Sequence, residues 1–164
     1  MPVRVSILTV SDRSSRGERP DLSGPAPRSA AEQQGWQIID LAIVPDERDQ
    51  IARKLVEWAD SGQCDLILTT GGTGFTSRDV TPEATLSIIE RQTPGLTQTI
   101  LIESLKITPH AMLSRAASGI RAHTLIVNFP GSPKAAVENL TVILPVLPHA
   151  IDLLRDDPAA EAGH

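Results

Sequence analysis

Aromatic side chains are nearly missing from this sequence. Two Phe, two Trp and no Tyr amount to 2 % of 164 residues, while 40 % of the chain is hydrophobic. Any core must therefore be built from Leu, Ile, Val and Ala. A single cysteine, Cys64, excludes an intramolecular disulfide and reads as a small buried residue. The histidines (His110, His123, His149 and His164) are scattered, with neither an HxxxH pair nor zinc-ligand spacing. Positive charge is also short: 15 basic against 20 acidic residues leave −5, which removes the electrostatic footprint of nucleic-acid binding. No uninterrupted apolar run reaches the roughly 18–20 residues of a membrane span. The best stretch, LTVILPVLPHAIDLL, holds two prolines, a histidine and an aspartate. The opening MPVRVSILTVSDR lacks a signal-peptide pattern. The expectation is a single-domain cytoplasmic protein with neither nucleic acid nor membrane among its partners.

What is present alternates. The short β-branched apolar run VRVSILTV from Val3 reads as a buried strand, and WQIIDLAIV from Trp36, DLILTT from Asp65 and HTLIVN from His123 read as further strands. Helical segments are expected from Arg28 to Gln34, stopped by Gly35, and from Asp46 to Gly62. Further helices are expected from Thr81 to about Arg91, from Pro94 to about Lys106, and in two pieces after Pro133. Ser11–Pro27 reads as a long polar loop, and PHAMLSRAASGIR as a turn with a helical piece. Trp36 and Trp58 fall on core positions. The fold class implied is α/β, a doubly wound, mostly parallel sheet with helices on both faces. Residues 1–157 would form the domain and 158–164 a disordered tail.

Ligands of such sheets bind beyond the carboxyl ends of the strands. That rule selects loops at Ser11–Arg19, Pro45-Asp46, Gly71–Asp79 and Asn128–Lys134, where this sequence concentrates its polar and glycine residues. In TTGGTGFTSRDVTPE, three glycines in four positions allow close backbone approach and expose N–H groups to an anion. The loop fits neither a P-loop nor a dinucleotide fingerprint. Asp46 can cap the following helix, with Asp49 three residues on, and Asp79 can pair with its neighbour Arg78. Both aspartates are nevertheless expected at the carboxyl edge after neighbouring strands, where two carboxylates can share Mg2+ with substrate phosphates. In NFPGSPKAA, Ser132 can cap a helix whose N-terminal amides form an anion site, with Lys134 adding charge. Arg13, Arg16 and Arg19 put a positive rim on the first loop or are simply solvated.

TVSDR, VPD at 44–46, LTTGGTGFTSRDVTPEAT at 68–85, MLSRAASGIR at 112–121 and NFPGSPKA at 128–135 resemble the MoaB/Mog family of molybdenum cofactor biosynthesis. The ending ILPVLPHAIDLLRD is similar to the branch that includes the gephyrin G domain. The resemblance spans residues 3–156 and implies a molybdopterin adenylyltransferase, joining AMP from Mg-ATP to molybdopterin with release of pyrophosphate. It implies catalytic and Mg2+-holding roles for Asp46 and Asp79. It places ligand binding on Ser11, Asp12, Thr70, Gly71, Gly72, Thr73, Gly74, Arg78, Ser114, Arg115, Asn128, Pro130, Gly131, Ser132 and Lys134. It also implies a homotrimer that hands its product to a molybdate-insertion protein. A non-catalytic molybdopterin-binding or scaffold protein is the alternative; retention of both aspartates disfavours it, and ATP dependence separates the two.

Overall fold

The computed structural model describes residues 1–163; His164 lies outside the described residues. Six strands form one sheet in the order β2-β1-β3-β6-β5-β4, comprising β1 (Arg4–Val10), β2 (Gln37–Val44), β3 (Leu66–Thr70), β4 (Arg91–Gln92), β5 (Ser118–Arg121) and β6 (Thr124–Phe129). β2, β1, β3 and β6 are parallel, β5 pairs antiparallel with β6, and β4 pairs antiparallel with β5 on the far edge. The helices are α1 (Asp12–Ser15), α2 (Pro25–Gln33), α3 (Arg48–Asp60), α4 (Thr81–Ile88), α5 (Pro94–Leu105), α6 (Pro133–Ile143), α7 (Leu147–Leu154) and α8 (Pro158–Glu161), with a 3-10 turn at Pro109–Leu113.

The two-residue period of the strands divides the core. Val5, Ile7, Leu66, Leu68, Leu125, Val127 and Phe129 meet α2, α5, α6 and α7 on one face. Leu8, Val10, Ile67 and Ile126 meet α3 and α4 on the other. Both faces are thus covered, as the unbroken apolar runs require. Trp36 and Trp58 are buried as expected, and the Trp58 indole donates to Asp40 Oδ2 at 3.1 Å. Cys64 is buried too, and burial pushes its thiol up. Asp65, at the amino end of β3, is bound by Arg4 and Arg155, so the two chain ends are tied to the sheet edge opposite the candidate site. Among the described residues no single helix is long and apolar enough to cross a membrane.

Several local expectations need correction. The loop after β1 contains the short helix α1, and α2 starts at Pro25, because prolines in a first turn forfeit no hydrogen bond. Asp46 does not cap α3: Glu47 holds the cap position without a side-chain bond, while the Asp46 carboxylate accepts the N–H of Asp12. Thr81 lies within the first turn of α4, with Val80 as its cap residue. That helix ends at Ile88, not Arg91, because Ile89 turns extended to feed β4 and Glu90 N–H donates to Ile120 O. In PHAMLSRAASGIR the expected helical piece is the 3-10 turn Pro109–Leu113, and the end of the segment, Ser118–Arg121, is strand β5 instead. At Gly119 a Cβ would strike Ile89 and the Arg91 carbonyl, so only glycine lets β5 and β4 close. Of the tail expected to be disordered, Pro158–Glu161 form α8, capped by Asp157, with Ala160 buried, and His164 lies outside the described residues.

Candidate active site

The chain leaves β1 for β2 on one side and returns to β3 on the other, so the direction of winding switches between β1 and β3. Outside the carboxyl ends of these strands lies the crevice in which doubly wound sheets place ligands. Gly71 opens the loop there at φ +97°, and a Cβ would collide with the Val10 carbonyl. Only glycine can bring β3's loop this close to β1. Gly72, at φ +69°, packs on the Thr81 hydroxyl, and a Cβ would also lie 3.2 Å from Asp46 Oδ1. A Cβ on Gly74 would lie 3.0 Å from Asp79 Oδ2. The loop thus brings its glycines against both aspartates. Thr81, which the sequence offered only as the start of a helix, fastens the turn by donating its hydroxyl to Gly71 O at 2.9 Å.

Asp46 and Asp12 exchange bonds: Asp12 N–H donates to Asp46 Oδ2 at 2.8 Å, and Asp46 N–H donates to Asp12 Oδ1 at 3.0 Å. Arg78 reaches across from the glycine loop, donating to both Asp12 oxygens at 3.0 and 3.1 Å and to Glu47 at 2.8 Å. Arg78 therefore pairs with Asp12 and Glu47 rather than with neighbouring Asp79; Glu47, three residues beyond Val44, was not singled out by motif. The bonds from Arg78 hold the Asp12 carboxyl below its usual range. Burial, with help from the Asp12 and Asp79 charges, pushes Asp46 above it. Asp79 accepts the Thr76 N–H at 2.9 Å. Two buried oxygens in this region have no hydrogen-bond partner, Thr70 Oγ1 and Glu83 Oε2.

The remaining candidates separate into groups. A cavity of about 400 Å³ adjoins the loop, lined by Thr73, Gly74, Ser114, Asn128, Pro130 and residues of α5 and α6. Ser114 faces it as expected. Asn128 lines it but is occupied, donating to Thr69 and Thr85 and accepting from Ala117 N–H. Arg115 is likewise engaged with Gly74, Asp79 and Glu83. Ser11 caps α1 and Ser132 caps α6. Gly131 O accepts from Ser23 at 2.5 Å, which docks the first loop on the Pro-Gly turn. Lys134 is 85 % exposed beside Glu138. Of the arginine rim, Arg16 pairs with Glu18 and Arg19 reaches Ser11 at 3.5 Å.

Fold and site together define the class: a doubly wound α/β domain whose candidate site is assembled from loops at its β1/β3 switch point. The chain belongs to the family described as "Probable molybdopterin binding domain", whose model matches residues 6–149. It is 41 % identical to the molybdopterin adenylyltransferase of Helicobacter pylori strain J99, over 93 % of this chain and 88 % of that protein. It is 46 % identical to gephyrin of Dictyostelium discoideum over 94 % of this chain, and spans only 23 % of that protein's length. The crystal structure of the molybdopterin biosynthesis enzyme MoaB from Thermus thermophilus superposes with a TM-score of 0.89 at 47 % identity, covering 95 % of this chain and 98 % of that one.

Proposed function

We propose that this chain is a molybdopterin adenylyltransferase. The observation that carries the reading is the meeting of Asp46 and Asp79 against glycines of one loop, beside a cavity of about 400 Å³. The similarity to adenylyltransferases along nearly their whole length supports it. An oxygen of the terminal phosphate of molybdopterin attacks the α-phosphorus of ATP. The new P–O bond replaces the bond to the β-phosphate, and pyrophosphate leaves with that electron pair. Little covalent chemistry falls to the protein, so positioning and charge neutralisation carry the rate. The pterin occupies the cavity along Ser114, and the amides of Gly71–Gly74 receive phosphate oxygens.

Asp46 and Asp79 offer hard oxygens suited to Mg2+, which when bound neutralises charge on the phosphates. Among the described residues no group of three or more metal-binding side chains occurs. Two carboxylates fit a cation whose shell is completed by substrate oxygens. Asp12, tied to Arg78, keeps the Asp46 carboxylate oriented through its backbone N–H. We assign the product to a molybdate-insertion protein in the cytoplasm. The protein is a homotrimer in this reading, supported by apolar side chains left open on and after α5, including Ile102, Leu105 and Ile107.

The test is pyrophosphate release by purified protein with Mg-ATP and molybdopterin. Release that requires the pterin and falls by at least about 100-fold in Asp79→Asn, with pterin affinity kept, supports adenylyl transfer. Tight pterin binding without any release would replace it with the binding or scaffold reading.

A further inference from the structure

We propose that Arg115, with Glu83, is the clamp that sets the position of Asp79, and that it is a positioning residue rather than a ligand-binding one. The inference rests on the adenylyl-transfer reading for its consequence in turnover, but its geometry stands on its own. Arg115 lies more than 30 residues from the glycine loop in sequence, in the stretch between the 3-10 turn and β5. It nevertheless holds that loop at three places. Its backbone N–H donates to Thr73 O at 2.9 Å, Nε donates to Gly74 O at 2.7 Å, and Nη2 donates to Asp79 O at 2.8 Å. Gly74 and Asp79 bracket the exposed tip, where Phe75 stands 68 % open to solvent. One guanidinium therefore pins both limbs of the tip.

The carbonyl gripped by Nη2 belongs to the residue whose carboxylate is aimed back at Thr76 N–H and Gly74. Glu83 completes the clamp by pairing with Nη1. It stands in the first turn of α4, where a negative charge is favoured by the helix amides. The Arg115 bond keeps its carboxyl below the usual range. A planar fork can satisfy two carbonyls and a carboxylate in fixed directions; a lysine ammonium cannot span the same three acceptors. These bonds turn Nε and one N–H on each of Nη1 and Nη2 toward Gly74, Glu83 and Asp79, so the plane of the guanidinium is fixed by the protein itself, which is the arrangement of a brace.

The test compares Arg115→Lys and Glu83→Gln with the wild-type chain in two arms. The first arm needs no substrate: hydrogen exchange of the amides from Gly71 to Val80 in the free protein. The clamp requires faster exchange across this segment in Arg115→Lys, by about tenfold or more, and a smaller rise in Glu83→Gln, where both carbonyl bonds persist. The second arm is pterin-dependent pyrophosphate release with Mg-ATP. The expected loss is in kcat, about 100-fold for Arg115→Lys, as for a group displaced by ~1 Å, with KM for ATP within about threefold. Unchanged exchange in Arg115→Lys would overturn the clamp. So would a raised KM with kcat retained, which would make Arg115 a substrate contact. If Arg115→Lys does not fold, Glu83→Gln carries both arms. Absence of release from the wild type would remove the adenylyl-transfer reading alone, and the exchange arm would still decide the clamp.

Discussion

Replacing Asp65 by asparagine should weaken the fold strongly at neutral pH and hardly at all in acid. The carboxylate is 3 % exposed. It accepts the Arg4 backbone N–H at 2.8 Å, the Arg4 guanidinium at 2.7 and 3.0 Å, and Arg155 Nη2 at 2.5 Å. Burial by itself would raise its pKa, but these donors bring it down to about 2. Against an ordinary value near 3.8, a lowering of almost two units at ~1.4 kcal/mol each is worth about 2.5 kcal/mol of stability. Because the folded-state pKa is the lower one, this contribution is complete above the ordinary aspartate range. It disappears as pH falls through about 2. Arg155, only 15 % exposed, loses its short carboxylate contact in the variant and keeps Asp152 at 3.8 Å and the Pro2 carbonyl at 2.9 Å, so the measured cost at pH 7 should reach about 3 kcal/mol. Urea unfolding followed by the fluorescence of the buried Trp36 and Trp58, repeated from pH 7 to pH 2, gives the difference between the two proteins at each pH. A gap that stays constant across that range would refute the assignment of the energy to the ionised carboxylate. Since this network sits at the amino end of β3, turnover per folded molecule should be unaffected.

Two further predictions concern the site itself. Gly71→Ala and Gly35→Ala both place a side chain at positive φ, but a Cβ at Gly35 meets open space while one at Gly71 collides with Val10 O. Gly35→Ala should cost about 1–2 kcal/mol and leave turnover intact. Gly71→Ala should cost clearly more by chemical unfolding and abolish most turnover; equal costs would remove the close-approach argument. Asp46→Asn should lose pterin-dependent turnover without a lower melting temperature at pH 7. A carboxylate raised by burial opposes folding once pH has risen through its folded-state value, and asparagine removes that cost. In the wild type without Mg2+, an NMR titration should find the Asp46 carboxyl above the ordinary aspartate range, and a value at or below it would contradict the effect of burial on Asp46.

The strands β1, β3 and β6 were legible because a strand buried on both faces is an unbroken apolar run, and the loops beyond their carboxyl ends announced themselves by composition. β4 and β5 were not legible. Two and four residues carry almost no side-chain period, and the pairing depends on the small size of Gly119 against a residue some thirty positions earlier. Asp46 shows the limit of local rules. Its sequence setting satisfies every requirement of a helix cap, yet a partner 34 residues away took the carboxylate. The same holds for Arg78 and Arg115, on which the resemblance placed ligand binding and whose donors reach Asp12, Glu47 and the glycine-loop carbonyls. Residues whose role is set by distant backbone are invisible to spacing, whereas residues whose role is set by their own conformation, such as Gly71 and Gly72, are not.

The reciprocal bonds between Asp12 and Asp46 have a consequence for motion. Each residue is donor and acceptor to the other, Ser11 N–H is held by Val44 O, and Arg78 closes the circuit from the third loop. Opening any one of these loops breaks bonds in its neighbour, so the rim of the crevice has few half-open states available to it. The loops after β1 and β2 should therefore exchange their amide hydrogens at a common rate, behaving as one hinged flap although nothing in the covalent chain joins them there.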